Sequence, residues 1–268
     1  MKPPERWYDR ERILRGGRYK MRVRQGEGNI WQKSVHKRHR KRFAYVLALV
    51  IFIGVLFFQT QTVMQGESTH IYQVFCIGDS ITYGSGLGTK LRAEYCYPAR
   101  LQSLLGTHYE VSNYGVSGRT LMNVPERSYR ETGYLEILEQ QSPDILLVML
   151  GTNDSRRGVW DAESYRQQYE ALVDELNGIS SEPKIYLMIP PKAYPGEDGV
   201  IIHGIRDTII RDEIREIVRE IAEEKDTGLI DLYAVTEEHP EYFKDGVHPN
   251  SLGYEVIATE IYQQMEKE

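Results

Sequence analysis

The chain has 268 residues, of which 41% are hydrophobic and 27% are charged. This balance is typical of a globular protein and excludes collagen-like, low-complexity and wholly disordered chains. The length suffices for one full-sized domain with extensions, or for two small domains. Two cysteines, Cys76 and Cys96, are too few for a disulfide framework or a cysteine-based zinc site. The fold must therefore depend on an ordinary hydrophobic core.

The formal net charge of -6 combines two regions of opposite sign. Residues 1–42 contain 15 Lys and Arg against 4 Asp and Glu, whereas the remaining 226 residues contain 18 against 35. A basic segment can bind nucleic acid or anionic lipid. Residues 1–42 contain no recognisable base-reading module and directly precede an apolar run. We therefore expect a lipid-facing tail and no nucleic-acid partner.

An uninterrupted apolar run covers residues 43–58. As a helix it would be about 24 Å long, slightly short of a ~30 Å hydrocarbon core. Uncharged residues continue to Gly66 and can extend the span. We predict one transmembrane helix over residues 43–64 and a linker over residues 65–70.

The dense positive charge before this run predicts the orientation of the helix. Lys and Arg favour the cytoplasmic side, so residues 1–42 should be cytoplasmic and residues 71–268 extracytoplasmic, in a single-pass protein of the cell membrane. A buried core helix is the first alternative, but such a helix is seldom flanked by so many basic residues. A cleaved signal peptide is the second, but the basic region is over forty residues long, and no convincing small-residue cleavage site follows.

The remaining chain alternates short apolar runs with longer amphipathic ones. Predicted strands cover residues 71–77, 109–113, 144–150, 184–189 and 228–232. Predicted helices cover residues 94–105, 131–141, 161–178, 205–225 and 252–266. This alternation specifies a single α/β domain with a five-stranded parallel sheet covered on both faces, and ligands are expected at the carboxyl ends of the strands.

The first candidate segment for chemistry is Gly78-Asp79-Ser80, where an apolar strand meets a turn. A hydroxyl at a strand's carboxyl end, near a helix N-terminus, is well placed as a nucleophile because backbone N–H groups there stabilise negative charge. A Gly-Asp-Ser triplet alone is weak evidence.

Two further segments follow strands. Residues 113–120 contain Gly115 and Gly118, which can bring backbone N–H groups close to a ligand or simply form a tight turn. Residues 150–154 contain Asn153, whose amide can donate to a ligand or cap a turn.

The fourth segment, residues 245–250, directly precedes the last predicted helix. A carboxylate at Asp245 can accept from Nδ1 of His248 and leave Nε2 free to take a proton, although such a pair is more often a surface turn. Metal binding is not expected, because His108, His203 and His239 have no ligand-like spacing to His248. Together the four segments supply a nucleophile, a base with its orienting acid, and oxyanion donors, which is the set that acyl transfer requires.

In all four segments and their order, residues 71–266 resemble the SGNH (GDSL-like) hydrolase superfamily. The resemblance implies a three-layer α/β/α flavodoxin-like fold without a cofactor. It implies Ser80 as nucleophile, His248 as base and Asp245 as orienting acid. The N–H groups of Ser80 and Gly118 and the side chain of Asn153 would form the oxyanion hole. The Gly-x-Ser-x-Gly elbow of α/β-hydrolases is absent.

The end of the fourth strand, residues 189–194, and the final motif look like those of carbohydrate O-acetylesterases, including sialate-type members. A glycan or small-molecule ester is therefore the expected substrate. Four aromatic residues offer rings for sugar stacking, although packing is the commoner role of such residues: Tyr83, Tyr97, Trp160 and Tyr194. Three alternatives remain: hydrolysis of lysophospholipid or other lipid esters, acyl transfer to a sugar hydroxyl, and a catalytically silent, membrane-tethered glycan-binding module. The sequence does not indicate an oligomeric state.

Overall fold

The computed structural model describes residues 45–53 and 70–267. The chain divides into two units between Ser68 and Thr69. In the first unit, residues 45–53 are helical. Of the helices within the described residues, none has the length and apolar character to cross a membrane. The basic tail and most of the predicted span over 43–64 lie outside the described residues, so the transmembrane helix stays a prediction.

The second unit is built on a five-stranded sheet in which every neighbouring pair is parallel. The strands are β1 Tyr72–Gly78, β2 Tyr109–Gly115, β3 Ile145–Met149, β4 Lys184–Ile189 and β5 Gly228–Asp231. Their order across the sheet is β2-β1-β3-β4-β5. The predicted α/β fold with a five-stranded parallel sheet is therefore confirmed. This order places a topological switch point beside β1, where open α/β sheets bind ligands.

Helices connect the strands. They are α1 Ser80–Tyr83, α2 Thr89–Tyr95, α3 Tyr97–Leu105, α4 Tyr134–Gln141, α5 Ala162–Asn177, α6 Asp207–Ile209, α7 Arg215–Glu224, α8 Leu232–Thr236 and α9 Ser251–Met265. A π-helical segment, Ile210–Ile214, joins α6 to α7. Short 3-10 turns cover Gly106–His108, Tyr129–Thr132, Ile202–Gly204 and Pro240–Tyr242.

The core has two halves because successive side chains of a buried strand point to opposite faces of the sheet. Phe75 and Ile77 of β1 pack with α4, α5 and α7 on one face. Val74 and Cys76 pack with α3 and α9 on the other. Helices thus cover both faces in three layers, and the polar segments that follow the strands are left at one edge.

Both cysteines are buried and unpaired. Burial raises the pKa of the Cys76 thiol well above its ordinary value. The two thiols therefore behave as small apolar side chains of the core.

Candidate active site

Ser80 lies at the end of β1, at the start of α1. Asp79 caps this short helix, since its carboxylate accepts from the backbone N–H of Ile81 at 2.9 Å. The first N–H groups of a helix lack acceptors within the helix, so the N–H of Ser80 is free to stabilise an anion. Ser80 itself is only 7% exposed.

His248 lies in the turn before α9, and Asn250 caps that helix by accepting from the N–H groups of Leu252 and Gly253. Asp245 folds back within the same turn. One of its carboxylate oxygens accepts from the backbone N–H groups of Val247 and His248. The turn is therefore rigid at both ends, which fixes the imidazole relative to the last helix.

The structure brings Ser80, His248 and Asp245 into one hydrogen-bonded line. His248 Nδ1 lies 2.8 Å from Asp245 Oδ2, and Nε2 lies 3.1 Å from Ser80 Oγ. A carboxylate only accepts hydrogen bonds, so Nδ1 carries the proton and Nε2 accepts from the serine hydroxyl. Burial acts to raise the pKa of Asp245, but the N–H groups of His248 and Val247 and the imidazole outweigh it, and the pKa is lowered. Asp245 thus stays ionised beside the imidazole.

Gly118 and Asn153 line the same cavity as Ser80 and His248. Gly118 has φ +81°, and a Cβ added there would meet no atom within 4 Å. The glycine is therefore required by its backbone conformation and not by lack of space. With no side chain, it presents backbone to the cavity.

The amide of Asn153 is oriented by its neighbours. Its oxygen accepts from the guanidinium of Arg156. Because that group can only donate, the amide nitrogen must face the opposite way. The nitrogen donates to the carbonyl of Arg119 at 2.9 Å and to Asp79 at 3.2 Å. Both amide protons of Asn153 thus have acceptors. An oxyanion in the cavity would share or replace the longer hydrogen bond, the one to Asp79.

Two carboxyl groups, Asp79 and Asp154, are buried beneath this surface. Burial raises the pKa of Asp79 to about 6 and that of Asp154 to about 7. The carboxylate of Asp154 accepts from the backbone N–H groups of Leu121 and Met122 at 3.0 and 2.9 Å. It thereby joins the loop after β3 to the segment that follows Gly118.

The cavity has a volume of about 340 Å³. Four of the five predicted site residues line it, and the fifth, Asp245, bonds to one of them, His248. The rest of its wall consists of Ser85, Ser117, Arg156, Ile205, Val247 and His203. Sequence reasoning did not assign a role to Arg156 or His203. The only feature of the sequence that could have indicated Arg156 is its position three residues after Asn153. The sequence offered His203 only as a candidate metal ligand without suitably spaced partners.

The four aromatic residues considered for sugar stacking all lie in the described part of the chain, and none of them lines the cavity. Tyr97 is fully buried and bonds to Thr82. Trp160 packs on Tyr165, and Tyr194 donates to the carbonyl of Glu237. Tyr83 lies beneath the guanidinium of Arg92. Contacts within the protein thus explain the positions of Tyr97, Trp160 and Tyr194, and the ring of Tyr83 is covered by the guanidinium of Arg92.

No group of three His, Cys, Asp or Glu side chains within residues 45–53 and 70–267 is placed to hold a metal ion.

Residues 76–256 match the GDSL-like Lipase/Acylhydrolase family, and this segment contains all four candidate loops. The protein belongs to this family. It is therefore a member of an esterase family, built on the parallel sheet described above. The match begins within β1 and ends within α9, so it includes Ser80, Asp245 and His248 in one continuous unit.

Two relatives of this GDSL-like protein are named for acetate esters. An acetylxylan esterase from Xylanibacter ruminicola is 34% identical over 206 residues, which are 69% of this chain and 41% of that enzyme. The isoamyl acetate-hydrolyzing esterase of Schizosaccharomyces pombe is 31% identical over 219 residues, 75% of this chain and 78% of that one. The chain thus spans less than half of the acetylxylan esterase.

A solved structure of a carbohydrate acetylesterase family member from Sinorhizobium meliloti has the same fold. It matches with a TM-score of 0.60 and 22% identity, over 73% of this chain and 98% of that one.

Proposed function

We propose that this protein is a serine esterase that hydrolyses O-acyl esters, specifically O-acetyl esters on carbohydrate. The observation that carries the proposal is the hydrogen-bonded line from Asp245 through His248 to Ser80, at 2.8 and 3.1 Å, in a cavity shared with Gly118 and Asn153. A nucleophile, a base oriented by an acid, and anion-stabilising donors are together what ester hydrolysis needs.

The reaction begins when Ser80 Oγ attacks the ester carbonyl and its proton passes to His248 Nε2. The N–H groups of Ser80 and Gly118 and the amide of Asn153 stabilise the resulting oxyanion. Protonated His248 then gives the proton to the departing alcohol oxygen as the carbonyl-to-alcohol bond breaks, which leaves an acyl group on Ser80. Water, deprotonated by His248, then attacks the acyl carbon. The bond from that carbon to Ser80 Oγ breaks, His248 returns the proton to Oγ, and the acid is released. Asp245 stays ionised and stabilises the imidazolium.

The acetyl preference rests on the two relatives named for acetate esters. It is tested with a series of p-nitrophenyl esters from acetate to palmitate, together with acetylated sugars. We expect the highest kcat/KM with acetyl. A higher value with long acyl chains would contradict the proposal and favour a lipid esterase.

Labelling by a serine-directed fluorophosphonate tests the catalytic assignment itself. We expect Ser80 to be modified in the wild-type protein, and modification to be lost in His248→Ala because the hydroxyl then lacks its base. The exposed His108 supplies a matched control, His108→Ala, in which labelling should persist. An unlabelled wild-type protein would contradict the esterase proposal and favour a silent glycan-binding module.

We further propose that residues 43–64 anchor the protein in the cell membrane, with residues 1–42 cytoplasmic and the esterase unit extracytoplasmic. The support is the apolar run and the basic residues that precede it. The full chain should remain in membranes washed with alkaline carbonate, whereas a chain beginning at Thr69 should be released. Extraction of the full chain by carbonate would contradict the anchor.

A further inference from the structure

His203 is the cavity-lining side chain whose backbone is strained. Its φ is +59° and its ψ is 12°, in the left-handed region that side-chain-bearing residues rarely adopt. Gly204, the next residue, also has a positive φ. A turn of this shape would be accommodated more readily by two glycines. Of the five non-glycine residues with positive φ in the described part of the chain, His203 is the one that lines this cavity. Backbone strain that is kept at a cavity points to a role for the side chain there.

The surrounding structure holds this turn in place. Ile205 is buried in the core directly after it. The backbone N–H of Arg206 donates to the hydroxyl of Ser155 at 3.2 Å, and the guanidinium of Arg206 donates to the Ser155 carbonyl at 2.7 Å. Ser155 is itself fully buried, in the loop that carries Asn153. The position of His203 is therefore fixed relative to the oxyanion side of the site.

The ring of His203 lies edge-on to the ring of His248, with 5.9 Å between centroids and 65° between planes. In the proposed reaction His248 delivers its proton to the alcohol oxygen, so the alcohol must pass beside the imidazole. His203 is the wall residue in ring contact with that imidazole. The alcohol half of the ester is consequently the part that reaches His203.

We propose that His203 forms the alcohol-binding subsite and selects esters whose alcohol carries further hydroxyl groups. This inference rests on the proposed esterase function. A neutral imidazole has one donor and one acceptor, which suits a neighbouring hydroxyl on a sugar ring. An alcohol without a second hydroxyl cannot form this hydrogen bond with His203.

Three acetates that form the same acetyl-enzyme test this proposal in the full-length protein. They are an acetylated monosaccharide with free hydroxyls, isoamyl acetate and p-nitrophenyl acetate. Because kcat/KM covers ester binding and acylation and excludes the shared deacylation step, a change in its ratio between these esters on mutation reports the alcohol half. We expect His203→Ala to lower the ratio of kcat/KM for the sugar ester to that for isoamyl acetate by about tenfold, the factor expected for the loss of one hydrogen bond.

Two further variants separate binding from folding. His203→Gly relieves the positive φ, so its Tm should equal or exceed that of the wild type while the ratio falls as in His203→Ala. His203→Asn tolerates the same backbone and keeps a donor and an acceptor, and it should retain part of the ratio. The exposed His108 again provides a control, and His108→Ala should leave the ratio unchanged.

An equal loss of kcat/KM on all three acetates in His203→Ala would overturn the inference. A lower Tm with an unchanged ratio of kcat/KM would also overturn it, because it would show that His203 serves packing. Wild-type protein that hydrolyses none of the three acetates would instead refute the esterase function itself, and the subsite with it.

Discussion

The orientation of Asn153 is set by its neighbours in the protein. Arg156 accounts for the direction of the amide oxygen, and the carbonyl of Arg119 accounts for the nitrogen. The amide is therefore positioned before any ester binds, which is the condition under which the proposed oxyanion hole would lower a barrier most.

Asn153→Ala should lower kcat by ~10²-fold or more, because one oxyanion donor is lost in the transition state. The measurement is turnover of p-nitrophenyl acetate, with a thermal melt to show that the variant is folded. Asn177, an exposed asparagine at the end of α5, gives the control Asn177→Ala, which should keep wild-type kcat. A wild-type rate in Asn153→Ala would remove Asn153 from the oxyanion hole.

At the same scale, the sequence predicted which residues meet. Ser80 and His248 are 168 positions apart, yet they lie in hydrogen-bond contact. That prediction rested on the four polar segments, which follow predicted strands or precede the last helix, and on their resemblance to the SGNH family, which paired the serine with the histidine. His203 could not be found in this way, because the positive φ that sets it apart belongs to a turn without a sequence motif.

Among the elements, the turn that carries Asp245 and His248 depends on one close backbone approach. Gly246 has φ +83°, and a Cβ at this position would lie 2.1 Å from the carbonyl oxygen of Tyr194. The backbone N–H of Tyr194 also donates to the carbonyl of Gly246 at 2.8 Å. The loop after β4 and the turn before α9 are thus in direct contact.

Gly246→Ala should therefore displace this turn, lower the free energy of unfolding by roughly 2–4 kcal/mol and reduce kcat/KM. The matched control is Gly133→Ala. Gly133 has φ +73° and ψ 7°, and a Cβ there meets nothing within 4 Å, so only the left-handed backbone strain of about 1 kcal/mol should appear. Urea unfolding and ester hydrolysis measure the two effects. If both variants lost equal stability and activity, the contact with Tyr194 would not matter.

The sheet was easier to predict than the helices. The predicted strand over 184–189 has the observed bounds, and each of the other four differs by one or two residues at one end or both. The strands could be predicted because buried parallel strands are short apolar runs ended by turns. The helix predicted over 205–225 instead contains the π-helical segment Ile210–Ile214. A single inserted residue rotates the following positions by about 100°, but the adjacent Ile209 and Ile210 continue the apolar stripe in either register, so periodicity did not reveal it.

For the molecule as a whole, two buried carboxyl groups make stability depend on pH. The pKa of Asp79 rises from 3.8 to about 6 and that of Asp154 from 3.8 to about 7. Each group binds its proton more tightly in the folded state than in the unfolded state. Its contribution to stability is therefore complete below pH 3.8 and is lost as pH rises through its folded pKa. Asp245 has a lowered pKa, and its contribution is lost only in more acidic solution, below pH 4.

The Tm of the protein should accordingly fall as pH rises from 5 to 8. For Asp154 alone the full effect is on the order of 4 kcal/mol. Asp154→Asn removes this titration, so its Tm should depend less on pH. Its absolute Tm should be lower, because Leu121 and Met122 donate to different carboxylate oxygens and one of them would then face the amide NH2, which cannot accept. The slope of Tm against pH is the measurement. Identical slopes for the two proteins would exclude Asp154 as the source.

The proposed catalytic base lies late in the chain. All five strands and Ser80 precede residue 232, whereas His248 comes sixteen residues later, directly before α9. Together with α3, α9 also covers one face of the sheet, and its Tyr254 donates to the carbonyl of Ser85. A chain clipped before residue 248 would therefore lose the proposed base together with part of its core, so under the proposed mechanism ester hydrolysis reports that both the base and this helix are in place.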